Sequence, residues 1–279
     1  MHIPDGYLGP QTYAAAYGIM APLWAAASRI VSGTLRSRQV PLLALGAAFS
    51  FVIMMFNVPI PGGTTGHAVG AVLVAVLLGP WAAVIAVSVA LIVQALLFGD
   101  GGITAIGANC LNMALIMPFA GYGVYRLVAG RSDVRSPRRW IGAALGGYVG
   151  LNVAALAAAV EFGIQPLIAH DAAGQPLYAP YPLSVAVPVM AAEHLLVFGF
   201  VEAAVTGMVV AYLQRSDPSL LPTSSRDIAA AQRHGAARPP AAVAVACDLA
   251  TQPPRLTAGG QAPAVSGRCA PEPETEARR

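Results

Sequence analysis

Apolar residues along this chain fall in long blocks rather than in alternating or one-sided patterns. Such stretches run about 11 to 31, 40 to 57, 66 to 98, 104 to 128, 138 to 165 and 184 to 214, and most approach or exceed the roughly 20 residues a helix needs to cross a bilayer. The third is too long for one crossing, because at about 1.5 Å per residue it would overshoot a hydrocarbon core of about 30 Å. It contains Gly79-Pro80, a natural place to turn, and so predicts two short helices. The expected fold is an all-α integral membrane protein with about seven transmembrane helices.

Charge gives an independent check, since arginines near span ends collect on the cytoplasmic side. With seven spans and the N-terminus outside, Arg29, Arg36, Arg38, Arg126, Arg131, Arg135, Arg138, Arg139 and Arg215 all fall inside. Treating 66 to 98 as one span would put the arginines from 126 to 139 on the wrong side. The outer segments, residues 1 to 10, 57 to 66, 99 to 102 and about 166 to 183, then hold no arginine, and Asp5, Asp100 and Asp171 would weakly attract a cation there.

Composition agrees with a bilayer as solvent: 56% of residues are hydrophobic and 10% charged, with a mean hydropathy of +0.63. The chain has no lysine, which excludes a P-loop ATPase, a retinal-type Schiff base and lysine-based covalent catalysis. Cys110, Cys247 and Cys269 have neither metal-site nor disulfide spacing. From 216 onward Pro, Ala, Arg, Ser and Glu dominate, so the expected organisation is a transmembrane metal-binding domain over 1–215 and a disordered cytoplasmic tail over 216–279, with His234 and both tail cysteines incidental. No internal repeat of the inverted-transporter kind is evident.

The chain opens Met1-His2-Ile3-Pro4-Asp5-Gly6-Tyr7-Leu8. No basic n-region or cleavage site precedes the first apolar block, and a second residue as large as histidine disfavours removal of Met1, so the Met-His end is expected to persist. A free amine, the amide nitrogen of residue 2 and the His2 imidazole can close two fused chelate rings on one divalent ion, leaving a fourth in-plane position open, an arrangement that suits Ni(II) or Cu(II). The alternative is an ordinary flexible start with an incidental histidine. A fourth ligand should lie on the same side, and His67 qualifies: it follows the Pro- and Gly-rich run from Asn57 to Gly66 at the mouth of the third helix. Its alternative use is to hydrogen-bond its own loop.

These residues carry a resemblance. The opening octapeptide, the run Asn57 to Gly70 with its Pro-Gly-Gly-Thr-Thr-Gly-His, and Gly101-Gly102-Ile103-Thr104-Ala105-Ile106-Gly107-Ala108-Asn109-Cys110-Leu111-Asn112-Met113-Ala114 are similar to the substrate-specific membrane component (CbiM/NikM type) of cobalt and nickel energy-coupling-factor transporters, over about residues 1 to 215. The resemblance implies a non-enzymatic, multi-pass inner-membrane protein that captures Ni(II) or Co(II) at the outer face through the Met1 amine, the amide and imidazole of His2, and His67. It also implies a separate transmembrane coupling protein and a pair of cytoplasmic ATPases. Some members carry a further small membrane component fused at the C-terminus; this tail has no added span, so a separate small partner is expected. Resident cofactors and nucleic acid are not.

Asn57, Gln94, Asn109 and Asn112 lie near the outer side and are candidates to orient His2, or simply to bond helix to helix. Glu161, Glu193, His194 and Glu202 sit within the last two spans, where a charge at mid-membrane costs about 2.5 to 3.5 kcal/mol on insertion scales, so something must compensate. Glu193 and Glu202 are too far apart along a helix to share an ion and are not assigned to the metal. His170-Asp171 is a rival ligand pair in an outer loop. Gly142-Ala143-Ala144-Leu145-Gly146-Gly147 permits close helix packing. A membrane metalloenzyme would need an H-E-x-x-H or similar motif, which is absent; a metal sensor would need an output domain that the tail does not display.

Overall fold

The computed structural model of the chain describes residues 1–35 and 37–222. The expected tail from 223 onward, with His234, Cys247 and Cys269, and the arginine at 36 lie outside the described residues. Residues 218–222 still pack on the bundle: Leu221 is buried and the Pro222 carbonyl accepts from Arg139 at 3.0 Å.

Seven helical rods follow one another among the described residues: α1 (Pro10–Thr34), α2 (Val40–Met54), α3 (Ala71–Leu78), α4 (Pro80–Phe98), α5 (106–129), α6 (Pro137–Ile168, with a break at Ile164) and α7 (Leu183–Ser216). Of these, α1, α4, α6 and α7 are each long and apolar enough to cross a membrane. The expected break at Gly79-Pro80 is present. Gly79 adopts φ +94°, which a residue with a Cβ resists, and Pro80 opens α4 where its missing N–H is harmless. α3, however, is only 8 residues long, about 12 Å, and cannot span by itself. Residues 57–70 occupy the remaining depth as irregular backbone with a two-residue hairpin, β1 (Val58–Pro59) against β2 (Thr65–Gly66). Such backbone is tolerated at membrane depth only where protein surrounds it, and α3 is accordingly buried from Ala71 to Val76.

Large apolar side chains are exposed on the outside of the bundle, for example Leu45, Val52, Leu196, Phe200 and Met208, as expected of a surface solvated by lipid. Small residues join α5 to α6: a Cβ on Gly146 would lie 2.5 Å from the Gly121 carbonyl, so this pair of glycines lets the backbones touch. Three π-helical segments interrupt the rods at Gln94–Phe98, Cys110–Ile116 and His194–Phe198. Pro118, which has no N–H to give Ala114, follows the second. These wide turns recur at functional sites, and here they carry the buried polar residues Gln94, Asn112 and His194.

The expected outer segments meet at one end. Asn57 reaches Asp100, Gly102 N–H reaches the Ile3 carbonyl, and Ala179 N–H reaches the Tyr7 carbonyl. At the other end Arg139 binds the Ser132 carbonyl and the Tyr125 hydroxyl, and Gln214 binds the carbonyls of Val134 and Ser136.

Candidate metal centre

Residues 1–8 do not hang free; they run into the bundle, and Met1, Ile3 and Leu8 belong to its core. Three attachments place them. The Asp5 carboxylate accepts the N–H groups of Ile103 and Thr104 at 3.0 and 2.9 Å, and these bonds, with the Thr104 hydroxyl foremost, hold it below the usual carboxylate range. Asn109 pairs with the Ile3 main chain in both directions, accepting from its N–H at 2.8 Å and donating to its carbonyl at 3.1 Å. Gly102 lies so close that an added Cβ would sit 2.4 Å from the Asp5 nitrogen.

The segment thereby delivers the α-amine to Thr65, where it donates to the carbonyl and, at 3.0 Å, to the hydroxyl; the His2 N–H also donates to that hydroxyl at 3.2 Å. His67 comes from the other direction. The Val69 and Gly70 N–H groups that follow it are gripped by the Glu202 carboxylate of α7 at 2.8 and 3.1 Å, with Thr206 adding a bond at 3.3 Å. Glu202 is thus a buried carboxyl group whose oxygens are satisfied mainly by main-chain donors. The His67 Nδ1 faces the Ala68 carbonyl at 3.0 Å, which leaves Nε2 as the available nitrogen.

The two imidazoles stack with centroids 4.6 Å apart and planes at 22°. Met1, His2 and His67 are 1%, 3% and 0% exposed. Neither His2 ring nitrogen nor the His67 Nε2 makes a hydrogen bond, although the His2 Nδ1 is 3.4 Å from Asp100 and Gln94 stands within reach of the ring. Burial disfavours the protonated forms: it lowers the Met1 amine to about 4, against the pull of Glu193 and Asp100, and lowers His2 to about 3, with the nearby amine adding to the effect. Asp100 is raised, chiefly by burial. The amine and the His2 imidazole therefore stand together neutral at pH 7, the state a transition metal requires of its ligands, with the buried His67 ring beside them. No cluster of three His, Cys, Asp or Glu side chains suited to a metal exists among the described residues, so main-chain and terminal nitrogens are what this location offers beyond its two imidazoles.

Other candidates fall variously. Asn57 donates to Asp100 at 3.0 Å, Gln94 donates to the Phe51 carbonyl at 3.3 Å, and Asn112 turns to Glu161 at 2.7 Å. Asp171 caps its own turn at Ala173 and Gln175.

A family model described as CbiM, cobalt uptake substrate-specific transmembrane region, matches residues 2–220. The chain belongs to this family. Like others of the CbiM family it is a membrane component of cobalt and nickel transport. It is 59% identical over 234 residues to the fused nickel transport protein NikMN of Rhodobacter capsulatus, covering 84% of this chain and 67% of that one. It is 38% identical to the cobalt transport protein CbiM of Streptomyces coelicolor over 50% of this chain and 57% of that one. A crystal structure of a transition metal transporter superposes with a TM-score of 0.74 at 56% identity, covering 78% of this chain and 94% of that one. The chain spans about two thirds of the length of the fused nickel relative.

Within this CbiM-family site, Thr65, Glu202 and Gln165 were not singled out by sequence as site residues. Gln165 accepts from the Gly9 N–H at 3.0 Å and donates to Thr12, fixing where the N-terminal segment leaves the bundle. For Glu202 the signal was its presence in an apolar span. For Thr65 and Gln165 a single sequence offered none.

Proposed function

We propose that the chain is the metal-specificity component of an energy-coupling-factor importer, and that it takes Ni(II) or Co(II) as transported substrate through the Met1 amine, the amide and Nδ1 of His2, and the Nε2 of His67. The observation that carries this reading is the meeting of a buried, neutral α-amine with two buried imidazoles, of which both His2 nitrogens and the His67 Nε2 have no hydrogen-bond partner. Unpartnered buried nitrogens are costly unless a ligand uses them. Nδ1 is the His2 nitrogen that closes a six-membered ring with its own amide, and the His67 Nε2 is the nitrogen of the facing ring that its Ala68 contact leaves available. Asp5, Asn109 and Glu202 fix the donors beforehand, so little ordering cost remains at binding.

The planar set of nitrogens favours Ni(II) over ions that demand oxygen or octahedral surroundings; Cu(II) would bind more tightly still, so metal availability shares in the selection. The gathering of arginines at the end opposite the site supports an orientation in which that end faces the cytoplasm from the plasma (inner) membrane and the site lies at the outer face. The chain has no lysine and therefore no P-loop; ATP hydrolysis belongs to a cytoplasmic ATPase pair acting through a transmembrane coupling protein, with a small separate membrane component as further partner.

The test is Ni(II) and Co(II) binding to protein with its native N-terminus, beside one variant with alanine inserted between Met1 and His2 and another carrying His67→Ala. Binding is expected to be lost in both. Binding indifferent to both changes would put the site elsewhere.

A further inference from the structure

The donors are buried, so an incoming ion must first meet something else. A cleft of about 460 Å³ opens beside the site, bordered by His2, Tyr7, Thr64, Thr65, Asp100 and Tyr181 among others, and Asp100 is the sole acidic residue on its lining. We propose that Asp100 is the entry ligand of the site: its carboxylate takes the hydrated dication in the cleft and passes it to the His2 Nδ1. The inference rests on the chelate reading above and adds a residue to it.

Geometry supports the role at each step. The Asp100 side chain is 17% exposed, and its Oδ1 lies 3.4 Å from the His2 Nδ1, the nitrogen that the chelate ring requires. Its other oxygen, Oδ2, accepts from Asn57 at 3.0 Å, which leaves Oδ1 turned toward His2. The turn that carries it is rigidly seated. Gly99 and Gly101 adopt φ +65° and +86°, the Asp100 N–H donates to the Gln94 carbonyl at 3.2 Å, and a Cβ on Gly101 would sit 3.3 Å from the His2 Cδ2. The turn thus fixes the Asp100 backbone beside the ring, and the Asn57 bond orients its carboxylate toward His2.

Chemistry gives the order of events. A hydrated divalent ion exchanges a water for a carboxylate oxygen without any prior deprotonation, whereas the nitrogen set demands loss of the amide proton. A fixed negative charge at a cleft mouth whose walls carry no cationic side chain raises the local cation concentration and the association rate, by about 10 to 10³ for focused fields, and the gain falls with salt. Once nitrogen replaces water around the ion, Asp100 remains alongside as a counter-charge.

The experiment is stopped-flow association of Ni(II) with the purified full-length protein in lipid nanodiscs, native N-terminus intact, read by the visible absorbance of the nitrogen-bound ion at low and high NaCl. Asp100→Asn is expected to slow association about tenfold or more at low salt and to flatten its salt dependence, while dissociation changes less than about threefold. Asp100→Glu should stay within about threefold of the parent rate and keep the salt dependence. Parent-like association in Asp100→Asn, a loss carried wholly by faster dissociation, or a Glu variant as slow as the Asn variant would each overturn the inference. If Asp100→Asn associates normally while alanine insertion before His2 still abolishes binding, the entry role fails and the chelate stands. Binding indifferent to both changes removes the chelate itself.

Discussion

Replacing Asn109 with alanine is expected to undock the N-terminal segment, and the size of the effect follows from two hydrogen bonds. The Ile3 carbonyl keeps the Gly102 N–H at 2.9 Å after the substitution, so it loses only one of two donors. The Ile3 N–H has Asn109 as its acceptor and lies at a fully buried residue, so it is stranded. Stranding a buried donor costs about 1 to 3 kcal/mol and losing the second bond about 0.5 to 1.5. Together, at about 1.5 to 4.5 kcal/mol, they lower the docked-to-undocked ratio roughly 10- to 1,600-fold, at 1.4 kcal/mol per factor of ten. Metal affinity falls by that factor only after the parent's docking margin is used up, because the apparent affinity scales with the competent fraction. Docking is therefore better read directly. The sequence contains no lysine, so the Met1 amine is its one target for an amine-reactive ester, and because burial already keeps that amine neutral, access rather than protonation limits labelling. The labelling rate of Asn109→Ala should rise by about the calculated ratio, up to the rate of a free Met-His peptide. A change of less than threefold, or loss of metal binding with labelling unaltered, would refute the argument that Asn109 acts by holding the main chain of Ile3.

Further outcomes follow from the same geometry. With the amine at about 4 and His2 at about 3, Ni(II) binding at pH 7 should release close to one proton, from the amide, whereas ligands at their ordinary values would release about 2.4; calorimetry in buffers of different ionisation enthalpy distinguishes the two. The same shifts set the acid response. The docked segment binds fewer protons than the free one, so docking weakens as pH falls below the free amine's 8.0 and goes on weakening to about 4; Ni(II) affinity measured across that range should drop on the acid side. Glu202→Gln replaces one of the two oxygens that accept from the Val69 and Gly70 N–H groups and should weaken Ni(II) binding about tenfold in equilibrium titrations. Gly102→Ala, whose Cβ would press on the main chain at Asp5, should abolish Ni(II) binding while leaving the helical circular dichroism signal and its melting close to the parent's.

How much of this the sequence discloses depends on what kind of atom does the work. The blocks of apolar residues and the Gly79-Pro80 break foretell the rods because burial in lipid and helix punctuation are properties of local residue types. The same logic overestimates α3: residues 66 to 70 are as compatible with a span as their neighbours by composition, and what keeps them irregular is a left-handed Gly70 and a carboxylate 132 positions later that claims its N–H. The candidate site divides along the same line. Met1, His2 and His67 are legible because a terminal amine beside an imidazole is rare chemistry whose meaning is positional. The residues that hold them are not legible as such, because Asp5, Asn109 and Glu202 all bind main-chain N–H groups, and every non-proline residue offers one. A carboxylate in an apolar span announces that it must be compensated, but main-chain compensation leaves no mark at the partner position. A site that joins two imidazoles to main-chain donors and supports therefore displays its chain start and its histidines in a single sequence, and its remaining geometry emerges only when residues more than 100 positions apart are brought to the same end of the bundle.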